Sequence, residues 1–391
     1  MRRALVLCLS NPNRDPRPRR ALEWLSSEFE LTTAAFAPTE FVHSRFVDVS
    51  AHAKPALGGV VGFLSHAASL KLNSLLDRNE ASEWTKGLRA ARTELSGAAF
   101  DLVLCFDAEL LPLANAVRGR AKLIFDAREY YPAQFEDRLI WRSCMRDFAW
   151  HLCRSYLSRC DAIFTVSEGL REGYRTTFGV DSEVLYSLPS YRELAPTPVD
   201  PSSIRLVYHG NANPSRATHL MVSFARALER RFLMDFVVLP PDSRYVARLR
   251  HDASGCERIR FLEPLAFEDI VPFLNRYDLG VFYVPPTNFN LKHCMPNKLF
   301  EFIQARLGVI VGPSPDMKRF VEATGVGLAG SEWNVNSLVR DVNALGVQDI
   351  ERYKQRSHAV AADYSSLTSA RQFRAAVERV MSAPGVSSSG G

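Results

Sequence analysis

Short runs of apolar residues, continuous rather than alternating, recur along most of this chain, and each leads into a helical pattern. Ala4–Leu9 is the first, and Leu31–Phe36, Leu102–Cys105, Leu123–Phe125 and Ala162–Val166 follow. Between them lie a helical pattern with Ala21, Leu22, Leu25 and Phe29 on one side, and further patterns over Ser82–Leu95 and Arg138–Leu157. A strand that is apolar on both faces needs cover on both faces, and intervening helices supply it. The alternation therefore predicts parallel sheets built from βαβ units.

Near Leu188 the pattern stops at LPSYRELAPTPVDPSS, which has neither a helical nor a strand period and reads as a linker. The alternation then restarts. Strands are predicted at Ile204–Tyr208, Asp235–Leu239, Arg260–Leu262 and Leu279–Val284, with helices to about Phe232, over Tyr245–His251 and Phe267–Asn275, and from near Asp316. Apolar residues at helical spacing from Leu367 to Met381 predict a long last helix. The expected organisation is an N-terminal domain over 1–188, a linker over 189–203, a C-terminal domain over 204–365, a final helix over 366–384 and a disordered tail over 385–391.

The 391 residues suffice for two domains with separate cores, and 47% hydrophobic with 23% charged residues indicates a globular chain. A net charge of +5 suits phosphorylated ligands or an anionic membrane surface and is too small to argue for nucleic acid. The seven cysteines are scattered without CxxC spacing, which fits a reducing, cytoplasmic compartment and gives no zinc or redox signature. Ala4–Leu9 is too short for a signal-peptide core, and Pro55–Leu72 is interrupted by Gly58, Gly59, Gly62, Ser65 and His66, so no transmembrane segment is predicted.

Asn288–Pro313, NFNLKHCMPNKLFEFIQARLGVIVGP, reads as a loop, a short helix and a buried strand. Pro296 and Asn297 are turn and N-cap residues, Leu299, Phe300, Phe302 and Ile303 mark the apolar face, and Gly308 is expected to close the helix. Lys298 and Glu301 then share one side. A helix N-terminus offers unpaired N–H groups to an anion, so a diphosphate could sit there beside Lys298 while Glu301 clamps ribose hydroxyls. The alternative is that Glu301 only complements the helix dipole and Lys298 is solvated. In YHGNANPSRATHLM, Gly210 and Asn211 fall just past a strand and Arg216 at the start of the next helix, as in a phosphate-binding turn.

These motifs, together with CDAIFTVSEGL and the first-strand loop NRDPRPRR, resemble the group 1 (GT4-like) glycosyltransferases. The resemblance runs over most of the chain. It implies the GT-B fold, two Rossmann-like domains facing each other across a cleft with the C-terminal helix crossing back to the N-terminal domain. It assigns Arg216, six residues after Gly210, to the donor diphosphate and Glu301 to the nucleotide ribose. Asn211 stands where the family has an arginine, and His293 where many members carry a Glu eight positions before the ribose-binding one. His293 with Lys292 could contact sugar or phosphate, or be solvated. In FDAREYYP, Arg128 replaces a family His, and Glu129 becomes the candidate general base on an acceptor hydroxyl, with Asp15 as its rival.

The resemblance implies transfer of a sugar from a nucleotide-diphosphate donor to a hydroxyl of a glycan or lipid-linked acceptor. No metal and no cofactor beyond that co-substrate is expected, since no metal or covalent-nucleophile motif is evident. The same architecture would serve a sugar-nucleotide 2-epimerase, and the lost Arg and Glu would suit a non-catalytic nucleotide-sugar-binding protein. Gly58–Leu72 and RLIWRSCMRDFAWHLCRSYL have the apolar and basic character of a surface that rests on anionic lipid, at the inner face of a membrane; a core helix with snorkelling arginines has the same pattern.

Overall fold

A computed structural model of the chain describes residues 1–53 and 59–383, so Gly58 and the tail over 385–391 lie outside the described residues. The chain divides into two units. The first comprises Met1–Tyr186, Asn288–Asn290 and the chain from Ala370 on; the second comprises Ser187–Thr287 and Leu291–Ser369.

In the first unit β1 (Arg2–Leu7), β2 (Phe29–Ala35), β3 (Ser44–Asp48), β4 (Leu102–Cys105), β5 (Lys122–Ala127), β6 (Ala162–Thr165) and β7 (Glu183–Val184) form one sheet in the order β3-β2-β1-β4-β5-β6-β7. The pairings are parallel. Successive residues of β1 serve opposite faces: Leu5 and Leu7 join one apolar layer, Ala4 and Val6 the other. That is the two-sided burial the continuous apolar runs demand. The last helix, Ser366–Ser382, contributes Phe373, Ala376, Val377 and Val380 to the second layer, so the end of the chain is part of the first unit's core.

In the second unit β8 (Ile204–Asn211), β9 (Phe232–Leu239), β10 (Ile259–Leu262), β11 (Leu279–Phe282), β12 (Gly308–Val311) and β13 (Gly327–Ala329) form a second parallel sheet in the order β10-β9-β8-β11-β12-β13. Chain progression reverses between β1 and β4 in one sheet and between β8 and β11 in the other. At such a switch point the loops beyond the carboxyl ends diverge and leave a crevice for a ligand.

The proline-rich stretch after Leu188 has no regular structure, yet side chains of the second unit hold it. Fully buried Arg306 donates to the carbonyls of Arg192 at 2.6 Å and Leu194 at 3.1 Å. Asn275 donates to Ala195 O at 3.0 Å, and Lys354 to the Thr197 hydroxyl at 2.9 Å.

Several elements differ from the sequence pattern. The helix expected over Arg138–Leu157 divides at Met145 into Leu139–Cys144 and Arg146–Tyr156. That over Ser82–Leu95 starts at Lys86, because the Thr85 hydroxyl caps it by accepting from Leu88 N. Gly308 does not end the helix after Lys298. That helix, Asn297–Gln304, stops four residues earlier, and just past its end Arg306 takes the left-handed conformation at φ 64. Its guanidinium bonds to Gln304 O and to the linker carbonyls, which offsets the cost of that backbone for a residue with a Cβ.

Candidate functional site

The carboxyl end of β8 and the helix Asn297–Gln304 build the site in the second unit. Two features let them approach. Gly280 in β11 leaves room for the Phe302 ring, since a Cβ there would lie 2.2 Å from Cγ. Gly210, at φ 104, passes directly beneath the Lys298 ammonium, which a Cβ would meet at 3.0 Å. Gly210 and Asn211 thus form the last residues of β8 rather than a turn after it, because β9 still pairs with both. Arg216 is likewise not in a helix. It ends a single 3-10 turn, Pro214–Arg216, capped by the Asn213 side chain, and the next helix begins at His219.

Lys298 is buried, 6% exposed, and donates to His209 O at 2.5 Å. Its ammonium stands 4.7 Å from the centroids of both Tyr208 and Phe282. Burial depresses its pKa to about 7, and the Arg216 guanidinium adds to the depression, while Glu301 opposes it. Glu301 is 5% exposed and approaches His209 Nε2 at 3.3 Å. Burial, with help from Lys298, pushes the His209 pKa down to about 3, so this contact involves a neutral imidazole and is no ion pair. Lys298 and Glu301 are therefore neither solvated nor a simple complement to a helix dipole. Arg216 is half-buried and forms no ion pair with a carboxylate among the described residues.

The helix starts at Asn297 with Pro296 in the capping position, at φ −75 and ψ 148, and no side chain caps it among the described residues. The expected cap at Asn297 is displaced by one residue because proline cannot donate and its ring already holds the pre-helical φ. His293, in the preceding loop, is not solvated either: its Nδ1 lies 2.7 Å from Asp316 Oδ2, and both side chains are largely buried. The Cys294 thiol is pushed up to about 12 by burial, with Arg216 and Lys298 pulling against it and Asp316 adding to it. The second unit therefore brings together Gly210, Arg216, His293, Asn297, Lys298 and Glu301 of the expected residues, with Asn211 exposed at the strand end. It adds His209 and Asp316. His209 stands in the quoted motif directly before its glycine without being singled out there, and Asp316 lies in the first turn of the helix Pro315–Thr324, outside the motifs.

The first unit has its own polar cluster, at the β1/β4 switch point. Arg128 donates to Asp15 Oδ2 at 2.5 Å and to Asp107 Oδ1 at 3.0 Å. Asp15 also caps the helix Pro16–Leu25, accepting from Arg17 N. The Asp107 carboxyl is held above its usual range by burial, against the pull of Arg128 and of the Leu9 N–H. Arg17 of the NRDPRPRR loop turns inward and pairs with Asp126 at 2.7 Å. Glu129 follows β5, half-buried, and its carbonyl accepts from the Tyr174 hydroxyl at 2.7 Å. Its neighbour Tyr130 is clamped by Asn290, whose Oδ1 accepts from Tyr130 N at 2.6 Å. Arg128 is thus committed to two aspartates, one of them the rival base.

No protein-family model matches this chain, and no curated protein matches it in sequence. Solved structures do. Anabaena HepE, determined in complex with UDP and glucose, superposes with a TM-score of 0.67 at 13% identity, over 97% of this chain and 100% of that one. An E. coli trehalose-6-phosphate structure bound with UDP-2-fluoro glucose gives 0.64 at 10% identity, over 98% and 99%. A UDP-forming trehalose-phosphate synthase from Burkholderia xenovorans gives 0.64 at 11%, over 98% and 100%. This chain has the GT-B fold. At these identities the likeness is one of fold, and chemistry belongs to the site.

Proposed function

We propose that this protein is a glycosyltransferase that moves a sugar from a nucleotide-diphosphate donor to a hydroxyl of a glycan or lipid-linked acceptor without a metal. The observation that carries the reading is the under-compensated cation in the second unit. Lys298 is buried beside Gly210 with Arg216 adding positive potential, at the uncapped start of a helix and at a sheet switch point. A diphosphate is the ligand that such a place suits. In glycosyl transfer the leaving group is that diphosphate, and fixed donors aimed at it lower the barrier to its departure.

In this reading Glu301 accepts from the ribose hydroxyls, and the nucleobase lies over the apolar recess lined by Val237, Leu239, Pro264, Leu265 and Phe273 together with His209 and Gly210. Glu129 of the first unit is the base in an inverting reaction, with Asp15, which caps a helix and pairs with Arg128, as its rival. A retaining reaction would leave Glu129 without that task. The second unit is the donor unit and the first the acceptor unit.

Incubation with a panel of nucleotide sugars tests the proposal. Slow release of free nucleoside diphosphate, accelerated by an acceptor, is the expected result. Interconversion of the donor sugar would instead mark a 2-epimerase, and binding without turnover a non-catalytic nucleotide-sugar-binding protein.

A further inference from the structure

We infer that Asn290 is a positioning residue for Glu129, acting with Tyr174 to lock the peptide between Glu129 and Tyr130 and so to fix the direction in which the Glu129 carboxylate leaves the backbone. The inference rests on the proposed reading of Glu129 as the base and deepens it, by naming what holds that base in place.

Glu129 stands two residues beyond Ala127, the last residue of β5 that pairs with β6, so the sheet itself does not fix its backbone. The bonds that do fix it come from two side chains of the first unit. Asn288–Asn290 belong to that unit although they follow β11 in the chain. Asn290 Oδ1 accepts from Tyr130 N at 2.6 Å, and Asn290 Nδ2 donates to Tyr130 O at 3.2 Å. At the other edge of the peptide that joins Glu129 to Tyr130, Glu129 O accepts from the Tyr174 hydroxyl at 2.7 Å. That hydroxyl is fully buried and accepts in turn from Tyr131 N at 3.1 Å. A peptide group is planar, so holding its carbonyl and its N–H from opposite edges sets the backbone on the far side of the Glu129 Cα.

The segment that carries Asn290 is seated independently. Phe289 N donates to Glu136 Oε1 at 2.6 Å, Asn288 Nδ2 donates to Asp137 Oδ1 at 3.0 Å, and the Phe289 and Tyr130 rings lie 4.6 Å apart. Gly173 makes room for both rings, since a Cβ there would lie 3.0 Å from Phe289 Cζ and 3.3 Å from Tyr130 Cε2. It does so inside the helix Glu168–Phe178, where glycine is a poor helix former. Attachment of the segment is thus met by Asn288 and Phe289. The Asn290 amide goes instead to both backbone groups of the residue after Glu129, which attachment does not require and aiming a carboxylate does. A general base works only within hydrogen-bond reach of the proton it takes, and a displacement of about 1 Å costs on the order of a hundredfold in rate.

The experiment has two arms. In the first, hydrogen–deuterium exchange of the Tyr130 amide is followed by nuclear magnetic resonance in the unliganded protein. Asn290→Ala should speed it about tenfold, the loss of one hydrogen bond, and Asn290→Asp, which keeps an acceptor for Tyr130 N, should speed it less. This arm needs no substrate. In the second, transfer from UDP-, GDP-, ADP- and dTDP-glucose to p-nitrophenyl glycosides is measured for Glu129→Gln, Asn290→Ala and the double variant. Asn290→Ala should lower kcat about tenfold to a hundredfold while the bare nucleoside diphosphate binds as it does to wild type. In the Glu129→Gln background it should have no further effect, because a residue that acts only through that carboxylate then has nothing to aim. The inference is overturned if the Tyr130 amide is as well protected in Asn290→Ala as in wild type, or if the two substitutions lower kcat independently. If Glu129→Gln transfers sugar as fast as wild type, the reading of Glu129 as the base fails, and that result is separate from either of these.

Discussion

Lys298 faces a conflict that a ligand would resolve. Its ammonium has two aromatic rings, a carbonyl and Glu301 for company, yet burial and Arg216 still hold its pKa near 7. A bound diphosphate favours the charged form, so its pKa must rise on binding. Nucleoside diphosphate affinity should therefore be highest below about pH 7 as far as Lys298 is concerned, and fall as the pH rises above it, with binding above pH 7 accompanied by proton uptake. Calorimetry in buffers of different ionisation enthalpy measures that uptake, and Lys298→Met should abolish it. The same depression has a sign for stability. Between about 7 and the ordinary 10.5 the unfolded chain holds a proton that the folded chain has released, so this residue's contribution to unliganded stability improves with rising pH. His209 acts at the other end, its contribution being lost as pH falls from 6.5 toward 3. Motif spacing pointed to Arg216, Lys298 and Glu301, whereas His209 and Asp316 were hidden, because what makes them relevant is burial and proximity across loops.

Among elements, the helix Asn297–Gln304 shows what could and could not be read. Its apolar face and start were legible to within a residue, but its end was not, because Arg306 terminates it through bonds to a linker more than a hundred residues earlier. Helix Val347–Val360 had no clear signal for a related reason. Only Ile350, Lys354 and Ser357 of its side chains are buried, and Lys354 enters the core as an ion pair with Asp278 at 2.8 Å. Strands β3, β7 and β13 are edge or short strands without an apolar run to announce them. The placement of the site helix depends on one absent side chain. Gly280→Ala would put a Cβ inside the Phe302 ring, and we expect destabilisation at the upper end of about 1–3 kcal/mol or beyond. Denaturant unfolding measures this, and nucleotide affinity should fall with it, whereas an unchanged midpoint would mean the helix can shift freely.

For the whole molecule, the two-sheet architecture was the most legible level, because continuous apolar runs separated by helical patterns have few other solutions. What the molecule does at its surface is less evident from pattern alone. In the first unit, helix Gly59–Leu75 and the turn after it expose Phe63, Leu72, Leu75 at 70% and Leu76, and helix Leu139–Cys144, which packs against it, exposes Leu139 at 68% and Ile140. Arg138, Arg142 and Arg146 lie exposed along the same segment. An apolar surface with cations at its rim is suited to anionic lipid, and no helix among the described residues is long and apolar enough to cross a membrane. We propose peripheral attachment there. Sedimentation with phosphatidylglycerol vesicles should capture the protein and phosphatidylcholine vesicles should not, with Leu75→Ser combined with Leu139→Ser abolishing capture. Equal capture by both lipids, or capture indifferent to these substitutions, would dismiss the patch as a lipid surface.

The central requirement is that the ends of β8 and of the loop before Lys298 enclose one pyrophosphate. A crystal structure of the protein soaked with its preferred nucleoside diphosphate measures this directly. We expect the phosphates against the start of the helix at Asn297, between Arg216 and Lys298, with the ribose hydroxyls on Glu301. A nucleotide found elsewhere, or one that leaves Lys298 and Glu301 untouched, would contradict it.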